Sequence, residues 1–197
     1  MRLSAFAALA VVGFIQTGCD RAAKPASEPA KPAETAAAPL IAPGPATGPA
    51  VVVPSGKFDA ISNTAMGVTG DLRAEGGVFT FAQGQTYSLE GAGAAKAGDS
   101  YAVTKASLGS LINVPGTADL KVLRVTKEDP AKARNGGFCG ADPTTFIVSY
   151  EGGDSSGASA MVLIAFKGPN PPSATSPEAD LCGTFMYAPS TGQGATK

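Results

Sequence analysis

Residues 144–167, TTFIVSYEGGDSSGASAMVLIAFK, carry the clearest structural signal in the chain. Two runs rich in β-branched and aromatic residues, 144–151 and 160–167, flank the segment EGGDSSG at 151–157. Strand formers on both sides of a glycine-rich segment are typical of a β-hairpin with a long, flexible end. This stretch therefore predicts antiparallel β-sheet structure.

Similar short runs recur throughout residues 57–189, separated by Gly, Asn, Asp and Pro. A period of two between apolar and polar positions predicts a strand at residues 66–73. Residues 82–85, AQGQ, predict the turn of a hairpin. The remaining strands are predicted at residues 78–81, 86–90, 101–106, 120–126 and 184–188. About eight strands without a βαβ period predict an all-β fold, either a small antiparallel barrel or a two-sheet sandwich.

The predicted strands also carry most of the aromatic side chains of the chain. Aromatic residues of an eight-stranded barrel can line a ligand cavity, as they do in lipocalin-like barrels. More often they fill the interior of the barrel. We therefore expect filling of the interior, with a ligand cavity as the alternative. The residues concerned are Phe79, Phe81, Tyr87, Phe146, Tyr150, Phe166, Phe185 and Tyr187.

The charge of the chain excludes several classes of function. Its 197 residues include 15 basic and 16 acidic side chains and no histidine. Because basic and acidic residues balance, the chain has no basic stripe of the kind that follows nucleic-acid phosphates. Without histidine, His-based catalytic triads, zincin motifs and haem held by a proximal His are excluded. We expect no cofactor and no nucleic-acid partner.

The N-terminus has the features of an export signal, which we assign to residues 1–18. Arg2 precedes the apolar run AFAALAVVGFI at residues 5–15. A helix over residues 4–18 spans about 22 Å, less than the roughly 30 Å of a bilayer core. A permanent transmembrane anchor is therefore the weaker interpretation.

The segment IQTGC, residues 15–19, resembles the lipobox of bacterial lipoproteins, with small Thr17 and Gly18 directly before Cys19. Gln16 stands where that family prefers Leu, Val or Ile. The resemblance implies that Cys19 becomes the first mature residue and carries a diacylglycerol and an acyl chain such as palmitate. Two or three acyl chains give an effectively permanent attachment. Simple secretion and an uncleaved helix are the alternatives.

The composition changes sharply after Cys19. Eight of the 16 prolines fall within residues 21–56, mostly separated by Ala. Such a segment lacks the amide donors and large apolar residues that a folded core needs. We predict a disordered linker at residues 19–56, with a PxxP docking segment at 25–29 as an alternative, and a disordered tail at residues 190–197.

Cys139 and Cys182 remain as a pair once Cys19 is assigned to the lipid. Export favours a disulfide between them, because extracytoplasmic compartments are oxidising. Asp129-Pro130 predicts a short helix that ends at 135–137, and residues 176–178 predict a second short turn. Each cysteine is thus expected just before a strand. The spacing is not a CxxC redox motif, and a zinc site is disfavoured by two thiols without imidazole.

The remaining groups give no pattern typical of catalysis. Ser155, Ser156, Ser159 and Lys167 form no S-x-x-K or G-x-S-x-G motif, and the Gly91-Ala92-Gly93 run has no phosphate-loop lysine. A glycosidase needs two carboxyl groups across a cleft. No such geometry follows from the sequence, so we expect a protein that is not an enzyme. The candidate carboxylates are Glu128, Asp129, Asp142, Glu151 and Asp154.

These observations predict a lipoprotein of the bacterial cell envelope that faces the periplasm, with residues 57–189 as a binding or scaffolding module. Asp20 resembles the inner-membrane retention signal of some enteric bacteria, and the choice of membrane stays open. The expected architecture, a lipid-anchored small barrel with a disulfide, also resembles that of membrane-bound lysozyme inhibitors. Their Ser-Gly-x-x-aromatic loop has a partial counterpart in SGASA at residues 156–160, where Ala160 replaces the aromatic residue. The expected partners are the membrane, through the N-terminal lipid, and an envelope protein or a small apolar ligand.

Overall fold

The computed structural model describes residues 51–130, 133–153 and 157–191. The predicted signal, Cys19 and most of the predicted linker lie outside these residues, as does most of the predicted tail. Among the described residues, no helix is long and apolar enough to cross a membrane.

Eight antiparallel strands form a closed barrel in which each strand pairs with its neighbours in sequence and the first strand pairs with the last. Two short α-helices, α1 (Asn63–Val68) and α2 (Leu108–Ile112), and a 3₁₀ helix, Glu178–Asp180, lie in the connections. The strands are β1 Gly56–Ala60, β2 Leu72–Glu75, β3 Val78–Phe81, β4 Thr86–Lys96, β5 Asp119–Asp129, β6 Phe146–Gly153, β7 Ser159–Phe166 and β8 Leu181–Pro189. The all-β prediction is confirmed, and the structure is a barrel rather than a sandwich.

The strand predicted at residues 66–73 is wrong over most of its length. Residues 63–68 form α1, because the Ser62 hydroxyl accepts a hydrogen bond from the Ala65 amide and caps the helix. Only Leu72 and Arg73 belong to a strand, at the beginning of β2. β1, a five-residue strand with little apolar alternation, was not predicted.

The strand predicted at residues 101–106 is also wrong. This segment consists of turns, in which Lys105 has a φ of 60° and only an isolated bridge links Ser100 to Ser107. Tyr101 and Ala102 are buried all the same, against the outer face of the barrel. The predicted total of eight strands is correct only because β1 and β2 take the place of these two wrongly predicted strands.

The segment around the two cysteines differs in part from the prediction. Asp129 is the last residue of β5 rather than a helix cap. The predicted turn after Ser176 is confirmed, since a 3₁₀ helix follows Pro177. Cys182 lies inside β8 instead of before it.

Apolar side chains pack on both faces of the sheet. Inside the barrel, alternate residues of the strands form a core that includes Phe79, Tyr87 and Phe185. On the outside of β5, β6 and β7, a second cluster forms around Val122, Val148 and Ile164. The 97–118 segment, which contains α2, covers this outer cluster.

The order of the strands defines two ends of the barrel. The disulfide end consists of the connections 61–71, 82–85, 130–145 and 167–180. The terminal end consists of the Gly76-Gly77 turn, the β6–β7 connection, the beginning of β1 and the end of β8. Val51 and Val53 pack against the inner core, so the folded part begins before the predicted boundary at residue 57.

We predict that the double variant Cys139→Ser/Cys182→Ser unfolds more easily than the wild type. The disulfide spans 43 residues, and closing a loop of this length restricts the unfolded chain by about 4 kcal/mol on the entropy model. Urea unfolding followed by circular dichroism measures the change in free energy of unfolding. Val103→Ala, at a side chain that is 59% exposed, serves as the control, and equal stability of all three proteins would contradict the prediction.

Candidate functional site at the disulfide end

The predicted disulfide between Cys139 and Cys182 is confirmed, with a Cα–Cα distance of 4.9 Å. The bond joins the 130–145 connection to the beginning of β8. Because β8 pairs with both β7 and β1, the bond attaches this long connection to the part of the barrel where the sheet closes.

Phe138, the residue before the disulfide, inserts its ring into the aromatic core. The centroid of the ring lies 4.6 Å from that of Phe185, 4.7 Å from that of Tyr87 and 5.2 Å from that of Phe81. The Phe138 amide donates a hydrogen bond of 2.9 Å to the Tyr87 hydroxyl. Phe138 thus closes the disulfide end of the barrel from inside.

The Glu128 carboxylate lies near the Tyr87 hydroxyl at this end of the barrel. Its two oxygens accept hydrogen bonds from the Thr144 amide at 2.7 Å and from the Thr144 hydroxyl at 3.0 Å. A Cβ at Gly137 would collide with this carboxylate, which explains the glycine at that position. The two donors of Thr144 hold Glu128 in a structural role.

Further polar contacts attach α1 to the same end. The Gln85 side-chain amide, which is fully buried, donates to the carbonyls of Val68 at 2.6 Å and Gly136 at 3.1 Å. The side-chain amide of Asn135 donates to the Gly67 carbonyl at 2.7 Å. These bonds fix α1, the β3–β4 turn and the 130–145 connection as one rigid surface.

A groove of about 490 Å³ lies on the outer side of this end, between the last residues of β5 and residues 140–145. Its rim carries Lys127 and Asp142, and the latter forms an ion pair of 2.7 Å with Lys167. The Glu128 oxygens at its base are occupied by hydrogen bonds. The groove therefore offers contact area and a charged rim.

Of the candidate carboxylates that the structure describes, Glu128 and Asp142 line the same groove and the others do not. Glu128 and Asp142 lie at the disulfide end, whereas Glu151 lies toward the terminal end and pairs with Lys121 at 2.9 Å. Asp129 is exposed at the end of β5, and Asp154 lies outside the described residues. Within the described residues, no group of three or more His, Cys, Asp or Glu side chains is placed to hold a metal ion.

The serine and lysine candidates are also separated. Ser159 begins β7 and Lys167 directly follows its end, so the strand holds them about 25 Å apart. Ser155 and Ser156 lie outside the described residues, and Gly91-Ala92-Gly93 lies within β4.

Aromatic side chains fill the interior of the barrel, as expected, but three of the eight candidates lie elsewhere. Phe146, Tyr150 and Phe166 belong to the outer cluster, because their positions on β6 and β7 face away from the interior. Phe79, Tyr87, Phe185 and Tyr187 are all buried within the inner core. The role of Phe138 was missed, because it lies outside the predicted strands. Its position directly before a predicted disulfide cysteine was the available signal.

The chain matches no protein-family model, no curated protein and no solved structure in the comparisons made.

We predict that Tyr87 and Tyr187 ionise only when the protein unfolds. Burial raises the pKa of both phenols well above the usual 10.0. The neutral phenol is thus favoured in the folded state, so the stability that it contributes is fully present below pH 10 and is lost as the pH rises further. Tyrosinate absorbance and circular dichroism, recorded together during an alkaline titration, measure this.

In that titration, late ionisation should coincide with the loss of the β-sheet signal. Full ionisation of all four tyrosines in a protein that keeps its circular dichroism spectrum would contradict the packing described for the disulfide end.

Proposed function

We propose that this protein is a lipid-anchored, non-catalytic binding module of the bacterial cell envelope and that its binding surface is the disulfide end. The observation that carries the proposal is the placement of the two ends. The first described residues, Val51 and Val53, and the last residues of β8 meet the barrel at the terminal end. A chain anchored through Cys19 would then hold the disulfide end away from the lipid.

The disulfide end also has the physical properties that binding requires. Ile61 and Met66 expose 47% and 49% of their surface there. The loops that surround them are fixed by the disulfide, by Phe138 and by the Gln85 and Asn135 hydrogen bonds. Because these groups are already ordered, a partner loses little affinity to loop ordering.

The filled interior of the barrel does not favour the alternative of a small-ligand carrier. A carrier needs an enclosed apolar space, and the inner core occupies the centre of this barrel with aromatic rings. A lysozyme-inhibitor-like protein is the more specific form of the proposal, and the closed antiparallel barrel with one disulfide favours it. This likeness concerns architecture alone.

The lipid anchor predicts the behaviour of the variant Cys19→Ala. Without the acylated thiol, cleavage and acylation cannot occur. The variant should therefore keep its signal segment and take up no labelled palmitate. Metabolic labelling with palmitate and the mass of the purified chain measure this, with Cys19→Ser as a matched variant. A wild-type chain without bound lipid would contradict the anchor.

The binding surface predicts the result of photo-crosslinking in intact cells. A photoreactive residue at Met66 should give a discrete adduct with another protein, whereas the same residue at Val78, which is 38% exposed at the terminal end, should not. The mass of the adduct identifies its partner, and a lysozyme would support the inhibitor form. Equal adducts at both positions, or none at Met66, would contradict a partner at the disulfide end.

A further inference from the structure

The chain has four asparagines, and Asn135 is the one that precedes a glycine. The backbone nitrogen of a following residue can attack the side-chain amide carbon of an asparagine and close a succinimide ring. A branched side chain on the following residue hinders this attack, and a proline nitrogen has no proton to give up. The other three asparagines precede such residues, in the pairs Asn63-Thr64, Asn113-Val114 and Asn170-Pro171.

The fold requires the glycine at position 136. Gly136 has a φ of 75°, in the left-handed region that residues with a side chain rarely adopt. A Cβ at this position would also collide with the Gly140 carbonyl oxygen. The lack of a side chain beside the attacking nitrogen is therefore imposed by the path of the chain before the disulfide.

Both groups that would react are accessible. Asn135 lies exposed in a turn, and Gly136 is half-buried. Among the described residues, no backbone carbonyl accepts a hydrogen bond from the Gly136 amide. The amide of the next residue, Gly137, donates to the Gly140 carbonyl at 3.0 Å. The nitrogen placed to attack Asn135 is thus the less restrained of the two.

The side chain of Asn135 also has a structural partner. Its Nδ2 donates a hydrogen bond of 2.7 Å to the Gly67 carbonyl. Gly67 lies in the last turn of α1, where helix carbonyls lack partners within the helix. The aligned peptide dipoles give this end of a helix a partial negative charge, which favours a donor and disfavours an anion. An amide at position 135 therefore holds α1, whereas a carboxylate would repel it.

We propose that Asn135 is a site of spontaneous modification and that its conversion to aspartate or isoaspartate releases α1 from the 130–145 connection. The Gly136 nitrogen bonds to Cγ of Asn135 while the bond from Cγ to Nδ2 breaks. Nδ2 leaves as ammonia and takes the proton from the Gly136 nitrogen. Water then opens the ring at either of its two carbonyl carbons and returns a proton to that nitrogen. The reaction needs no other reagent.

Both products weaken the attachment of α1. A carboxylate replaces the amide donor, so the Gly67 carbonyl loses its partner and faces a negative charge. In isoaspartate the main chain also runs through Cβ and Cγ, which lengthens the connection directly before Gly136. α1 carries Met66, so the change reaches the surface proposed for binding. The modification itself requires neither a partner nor the lipid, so it can fail while the proposed function stands.

Incubation of the full chain in a non-denaturing detergent tests the chemistry. After storage at physiological temperature, peptides are prepared at mildly acidic pH, where the ring forms slowly, and analysed by mass spectrometry. The peptide with Asn135 should gain the mass of water minus that of ammonia and separate into two products. Peptides with the other three asparagines should keep their mass. In the variant Asn135→Gln, whose ring closure would need a larger ring, this peptide should keep its mass as well.

Amide hydrogen exchange tests the effect on α1. The Met66 and Thr69 amides donate to carbonyls one turn earlier in the chain, so their exchange reports the opening of α1. In the variant Asn135→Asp, which stands for one of the two products, both amides should exchange about three- to tenfold faster, as expected for the loss of one hydrogen bond.

A charge-matched variant separates loss of this hydrogen bond from a general effect of charge. Asn170→Asp adds the same charge at another exposed position of the disulfide end and should leave the exchange of both amides unchanged. Exchange at Phe79, in the inner core, should be equal in the wild type and both variants and reports that the barrel remains folded.

Several results would overturn the proposal. An unmodified Asn135 after incubation, or equal modification of all four asparagines, would contradict a site at this position. Equal exchange of the α1 amides in Asn135→Asp and Asn170→Asp would show that the modification does not release α1. Faster exchange at Phe79 in Asn135→Asp would assign the effect to the whole barrel instead of α1.

Discussion

The ring of Phe138, held between Tyr87 and Phe185, is the contact on which the disulfide end depends. Phe138 comes from a long connection with few backbone bonds of its own, so the core must retain it by packing and by its amide bond to Tyr87. The adjacent disulfide limits how far this connection can move from β8. Apolar burial and a covalent constraint thus act on neighbouring residues, and removal of either would expose the aromatic interior.

This packing also determines where the protein can make contact with other molecules. A barrel filled by aromatic rings has no central space to offer, so the proposed recognition of a partner would use the loops. The loops of the disulfide end are rigid because hydrogen bonds from Gln85 and Asn135 connect them.

Sequence patterns predicted most of the barrel because hydrophobic periodicity is local. β3, β5, β6 and β7 lie where apolar and β-branched residues cluster, and their flanking turns contain Gly, Asp or Pro. The errors occurred where one local pattern fitted two structures. Residues 66–73 alternate like a strand, but the cap at Ser62 begins a helix. Tyr101 is apolar like a strand residue, yet it covers the outer cluster from within a turn.

The amino-acid pattern alone was sufficient to predict an all-β domain with a disulfide between Cys139 and Cys182. Strand propensity, turn residues and the number of cysteines can all be read from the sequence without the fold. The charge balance and the lack of histidine, which exclude whole classes of chemistry, can be read in the same way. Three features became visible only in the folded chain: the sheet closes between β1 and β8, Phe138 fills the barrel, and β4 extends beyond β3 to meet Val51. These features depend on contacts between residues far apart in sequence, and a local pattern carries no information about the distance between two such residues in space.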